Sequence, residues 1–105
     1  MFLRGKQTPK KIKYITVHYK DTILYEGKWD ELPFDEKIII EYSVRFFDDP
    51  NPCYIHRGAV RVRLLAELEE SYESAQSNGT VSPWLNTLSK YMGAQAITRV
   101  EFSEK

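Results

Sequence analysis

The residues of this sequence that could do chemistry stand near the middle of the chain. Cys53 and His56 form a Cys-x-x-His pair, and a thiol beside an imidazole can ligate a metal ion or act as nucleophile and base. After folding, His18 could supply a third metal ligand. Two local ligands without a second pair fall short of a zinc motif, and catalysis would require an acidic residue to converge on them. We interpret the pair as a thiol beside a structural histidine and predict no catalytic residue and no metal site.

The acidic pair Asp48-Asp49 is a second candidate, because two carboxylates can bind a divalent cation or act as acid and base. Adjacent side chains usually point apart, however, and this pair precedes Pro50 and Pro52, where aspartate favours local hydrogen bonds of a turn. The sequence contains no GxxxxGK[ST], GxGxxG, HExxH or GxSxG motif. We therefore expect a protein that is not an enzyme and has no cofactor.

Basic clusters are the feature that most resembles a binding site. Residues 1 to 20 hold six basic groups and no acid, whereas residues 21 to 50 hold nine acids against three bases. Clustered bases can neutralise phosphates, and neighbouring tyrosines can stack on nucleobases. The alternative is a solvated tail and an arginine face that pairs with the acidic block, which the formal net charge of +0 favours. The candidate contacts to nucleic acid or another partner are Lys10, Lys11, Lys13, Arg57, Arg61 and Arg63.

Length and composition predict one domain. The 105 residues are 42% hydrophobic, enough to build one core and too few for two. The single cysteine, Cys53, cannot form an internal disulfide, so we expect a cytoplasmic protein. No run approaches the ~18 apolar residues of a membrane span, and we expect no membrane contact.

Periodicity predicts six elements. Alternation of apolar and polar residues indicates a hairpin of two strands. It also indicates a third strand at Ile38 to Phe47, where the two-residue periodicity persists over ten residues. Residues 53 to 63 fit either a strand or a helix, and we favour a helix from about Ala59 to Ser77, with Cys53 to Gly58 extended or irregular. The remaining predictions are strands at 14–19, 22–29 and 96–102, a helix at 83–92 with Ser82 as its N-cap, and left-handed residues at Gly79 and Gly93.

These elements predict an α+β domain at residues 13 to 105, preceded by a flexible basic arm at residues 1 to 12. The order is β-β-β-α-α-β, with a mixed or antiparallel sheet covered by helices on one face and the last strand paired with one of the first three. We expect a small non-enzymatic binding or regulatory protein that contacts another protein, with a homodimer compatible with its surface. The alternative is a nucleic-acid-binding protein that uses the basic arm and the arginine cluster.

Overall fold

The computed structural model describes residues 12–94 and 96–103. The α+β class is confirmed, but the order of elements is β-β-α-α-α-β. The elements are β1 (Tyr14–Tyr19), β2 (Thr22–Lys28), a short 3-10 turn (Trp29–Glu31), α1 (Glu36–Phe47), α2 (Tyr54–Asn78), α3 (Val81–Met92) and β3 (Arg99–Ser103). Of the predicted basic arm, residues 1–11 lie outside the described residues, and Ile12 packs against the core.

The sheet is antiparallel, with the order β2-β1-β3. The predicted hairpin is confirmed, and Lys20 in its turn adopts φ 53°. The prediction that the last strand pairs with an early one is also confirmed, because Ile15 faces Phe102 and Val17 faces Val100. Ile15 and Val17 are fully buried, which places the core on this face of the sheet.

The third predicted strand is wrong, because residues 36–47 form α1. Ile38, Tyr42 and Phe46 are spaced by four residues, and a spacing of four fits one helix face as well as one strand face. Adding Ile39 and Ser43 completes a helical stripe whose members are buried or half-buried. Of the apolar residues outside this stripe, Ile40 is half-buried, whereas Val44 and Phe47 are exposed. The helix stops where Asp48 adopts the left-handed conformation, φ 55°.

The second helix begins five residues earlier than predicted, at Tyr54 rather than Ala59, and the expectation that Cys53 to Gly58 is extended or irregular is therefore wrong for residues 54–58. Packing of an apolar face outweighs the unfavourable basic first turns, because α2 buries Val60, Leu64 and Leu68 in the core. The left-handed glycines are confirmed, with φ 70° at Gly79 and φ 63° at Gly93.

The third helix, α3, is confirmed, with its start at Val81 and Thr80 in the N-cap position in place of Ser82. An aromatic cluster joins the helices to the sheet. Phe102 of β3 lies edge-on to Tyr72 of α2, with ring centroids 4.8 Å apart, and near Trp84 of α3 at 6.3 Å. The indole Nε1 of Trp84 donates a hydrogen bond of 2.9 Å to the carbonyl of Leu68, which ties α3 to α2. None of the described helices is long and apolar enough to cross a membrane.

Candidate functional site

The junction between α1 and α2 brings three potential metal ligands together. Asp49 lies in the turn after α1, Cys53 is the N-cap residue of α2, and His56 lies in the first turn of α2. One ligand atom from each of the three lies within 4.8 Å of the others. The cluster therefore joins the Cys53–His56 pair with one carboxylate of the acidic pair, which the sequence analysis treated as a separate candidate.

Hydrogen bonds organise this cluster around the carboxylate of Asp49. The Nδ1 atom of His56 lies 2.8 Å from Asp49 Oδ2, and the backbone N–H of Asn51 donates to Asp49 Oδ1 at 3.1 Å. The hydrogen bond with His56, helped by those from the backbone, holds the pKa of Asp49 below its usual value. Asp49 is therefore ionised at neutral pH, with both oxygens directed to neighbours in the turn.

The imidazole of His56 is held from a second side by an aromatic ring. Phe47, the last residue of α1, stacks on it with ring centroids 4.1 Å apart and an angle of 4° between the planes. Cys53 is exposed, and its side chain makes no hydrogen bond to cap the helix. The thiol is thus accessible, while the neighbouring carboxylate and imidazole have fixed orientations.

His18, the third ligand considered from the sequence, lies elsewhere. It is buried in β1, and its Nε2 atom is 3.1 Å from Glu101 Oε1 on β3. Of the adjacent acids, Asp48 closes α1 in the left-handed conformation, and only Asp49 joins the cluster. Sequence reasoning missed this convergence because it placed the start of α2 too late. With Cys53 as N-cap, His56 occupies the position whose side chain points back toward the cap, as in a capping box.

The candidate arginines contact other parts of the same chain. Arg57 forms a two-pronged ion pair with Glu36 of α1, with Nη1 at 2.8 Å from Oε2. This pairing lowers the pKa of Glu36 and raises that of Arg57. Arg61 donates to the carbonyl of Leu32 at 2.9 Å and stands over the ring of Phe34. These two arginines attach α2 to the start of α1 and to the segment between β2 and α1.

The other basic candidates differ in their surroundings. Arg63 is exposed, with its guanidinium 3.8 Å from the ring centroid of Phe46. Lys13 is also exposed, and its backbone bridges Trp29 and Ser103. Lys10 and Lys11 lie outside the described residues. The structure therefore brings Arg57 and Arg61 into intramolecular contacts and leaves Lys13 and Arg63 at the surface.

The outward side of the N-terminal half of α2 carries large apolar side chains in contact with solvent. Ile55 is 75% exposed and Val62 is 68% exposed, and seven residues, two helical turns, separate them on one face. Ala59 and Ala66 continue the same stripe, and Gly58 lies at its margin. We call Ile55, Gly58, Ala59, Val62 and Ala66 the outward stripe. It contains no charged residue over three turns of helix.

The same two helices carry further exposed apolar residues. Tyr54, at the start of α2, is 90% exposed, and Val44 and Phe47 of α1 are exposed as well. Thus five of the eight large exposed apolar residues in the described part of the chain belong to α1 and α2. Larger exposed apolar patches mark interaction sites in soluble proteins, and the outward stripe is the candidate for one in this chain.

Comparison with known proteins identifies no relative: no family model, no curated protein and no solved structure matches this chain.

Proposed function

We propose that this chain is a small non-enzymatic binding or regulatory protein that acts through protein–protein contact, with the outward stripe of α2 as its contact surface. The observation that carries the proposal is the exposure of Ile55 and Val62 on one face of α2. Burying such side chains contributes roughly 1.5–3 kcal/mol each. A partner that covers the stripe therefore gains affinity from the burial of these apolar side chains.

The presence of glycine at position 58 of α2 favours a helix as the element that packs on the outward stripe. Glycine inside a helix costs roughly 0.5–1 kcal/mol relative to alanine. A Cβ atom added at Gly58 would meet no atom within 4 Å, so packing within this chain does not require glycine here. A second helix lying along α2 does give it a role, because small residues allow two helix backbones to approach closely.

The complementary partner is α2 of a second copy, packed antiparallel. If the two-fold axis passes between Val60 and Arg61, Ile55 lies opposite the partner's Ala66 and Val62 opposite the partner's Ala59. Each large side chain then meets a small one. Glu70, exposed on α2, approaches the N-terminal turn of the partner's helix, where the helix dipole favours negative charge. The resulting interface is isologous, as in most homodimers.

The placement of the arginines favours protein contact over nucleic-acid binding. The guanidinium group of Arg57 donates hydrogen bonds to Glu36, and that of Arg61 donates to the carbonyls of Leu32 and Asp30. The candidate phosphate contacts are thereby reduced to Lys13, Arg63 and the lysines outside the described residues. Nucleic-acid binding would appear as affinity that falls steeply with salt and with charge reversal of Lys13 and Arg63.

Sedimentation equilibrium over a wide range of protein concentration tests the proposal. We expect a reversible dimer for the wild-type chain and a monomer for Val62→Glu, because a buried unpaired carboxylate opposes association. Gly58→Leu is a second test: it improves helix propensity in the monomer while blocking close approach, so it should weaken the dimer without unfolding the chain. Asn86→Glu, an exposed site on α3, is the control and should dimerise normally.

Two results would contradict the proposal. One is a wild-type chain that stays monomeric at all concentrations. The other is a dimer that Val62→Glu and Gly58→Leu leave unchanged, which would place the interface on another surface.

A further inference from the structure

We propose that Asp49, Cys53 and His56 form a binding site for a Zn²⁺ ion. Zinc sites in proteins are built from cysteine sulfur, histidine nitrogen and carboxylate oxygen, and this cluster offers one of each. The proposal concerns residues within one chain. It is independent of the dimer, since Val62 and the rest of the outward stripe contribute no ligand.

The geometry of the cluster is close to that of a metal centre. Zinc–ligand bonds of about 2.0–2.3 Å place the ligand atoms of a tetrahedral site roughly 3.3–3.8 Å apart. The three ligand atoms lie within 4.8 Å of one another, so the longest separation must shrink by roughly 1.0–1.5 Å at most. A rotation of the exposed Cys53 side chain can supply this contraction, because no cap hydrogen bond restrains the sulfur. Asp49 and His56, whose Oδ2 and Nδ1 atoms are 2.8 Å apart, exchange their mutual hydrogen bond for bonds to the metal.

The surroundings preorganise the ligands. Phe47 fixes the plane of the His56 ring by stacking, and the backbone N–H of Asn51 orients the Asp49 carboxylate. Pro50 and Pro52 restrict the backbone of the turn that carries Asp49 to the start of α2. Outer contacts of this kind position the ligands of metal sites and raise affinity.

The ligand set also predicts which ions bind. Three protein ligands leave a fourth tetrahedral position for water, the arrangement found in accessible zinc sites. A thiolate and an imidazole favour borderline and soft ions over Mg²⁺ and Ca²⁺, which prefer oxygen ligands. We therefore expect Zn²⁺ and Co²⁺ to bind and a large excess of Mg²⁺ to have no effect.

Titration of the reduced full-length protein with Co²⁺, followed by absorption spectroscopy, tests the site. We expect one Co²⁺ per chain, a sulfur-to-cobalt charge-transfer band, and displacement of Co²⁺ by Zn²⁺. Cys53→Ser should abolish the band, and Asp49→Asn and His56→Gln should each lower the affinity at least about tenfold. Serine is a preferred N-cap residue, so Cys53→Ser keeps the start of α2 and its circular dichroism should match the wild type.

The pair formed by His18 and Glu101 provides the matched control. It has the same imidazole and carboxylate, 3.1 Å apart, without a thiol. Glu101→Gln, on the exposed side of that pair, should leave the Co²⁺ titration unchanged. The proposal is overturned if Co²⁺ produces no charge-transfer band, if the band survives Cys53→Ser, or if Glu101→Gln weakens binding as much as His56→Gln does.

Discussion

Two serines buried in helices contribute to stability in different ways. Ser89 of α3 donates a hydrogen bond of 2.8 Å to the carbonyl of Leu85 and accepts one of 2.9 Å from the N–H of Ile97. Ser43 of α1 is fully buried, and its hydroxyl has no hydrogen-bond partner among the described residues. One hydroxyl links a helix to the segment before β3, whereas the other is a buried polar group without compensation.

We therefore expect opposite effects from the same substitution at these sites. Ser43→Ala removes the unpaired hydroxyl and raises helix propensity, and it should increase the free energy of unfolding by about 1 kcal/mol. Ser89→Ala leaves the N–H of Ile97 without its acceptor and should decrease the free energy of unfolding by about 1–3 kcal/mol. Urea denaturation of both variants measures these changes. A loss of stability in Ser43→Ala would mean that the hydroxyl is hydrogen-bonded after all.

At the scale of the helices and strands, the sequence predicted an element correctly wherever the spacing of its apolar residues fitted only a strand or only a helix. The alternation of Tyr14 to Tyr19 and the turn at Lys20 gave a hairpin that the structure confirms. The strand prediction for residues 38–47 was wrong because apolar side chains at every fourth residue fit both a strand and a helix. Only packing against α2 decides between the two. Because α2 was predicted to start at Ala59, the proximity of Asp49 to Cys53 and His56 was not predicted from the sequence.

The attachment of α1 to α2 makes stability depend on pH. Glu36 begins α1, and its hydrogen bond with Arg57 lowers its pKa from the ordinary 4.5. A carboxylate with a lowered folded-state pKa contributes stability that is present above the unfolded-state pKa and is lost as pH falls through the folded-state pKa. Glu36→Gln should therefore destabilise the protein at pH 7, and its difference from wild type should shrink as the pH falls below about 4.5. Thermal unfolding across this pH range measures the effect.

Removing the partner of Glu36 provides the control for this experiment. In an Arg57→Gln background the hydrogen bond is already absent, so adding Glu36→Gln should change the melting temperature little at any pH. A full Glu36→Gln effect in that background would assign the stability to Glu36 alone, for example to its place at the positive end of the α1 dipole.

At the scale of the whole molecule, one aromatic cluster connects the sheet with two helices. Trp84 is 4% exposed, contacts both Tyr72 and Phe102, and holds the carbonyl of Leu68 through its indole N–H. The cluster therefore connects α2 and α3 with the sheet.

Truncating Trp84 should destabilise the entire domain. We expect Trp84→Ala to reduce the free energy of unfolding by about 3–5 kcal/mol, the usual cost of deleting a buried large aromatic side chain. Helix and sheet signals should be lost in one transition, measured by circular dichroism and by tyrosine fluorescence during urea unfolding. Thr87→Ala, one turn further along α3 and exposed, should change stability little. Separate transitions for the two layers would argue against a shared core.

The central position of β1 also sets the order of events during synthesis. Its two neighbours are β2, which follows immediately along the chain, and β3, whose Phe102 pairs with Ile15. A two-stranded hairpin is at best marginally stable in water and needs a third strand or packing against a helix. On the ribosome, β1 therefore acquires its second neighbouring strand last, after β2 and all three helices have been synthesised, and until then only packing against the helices can support the hairpin.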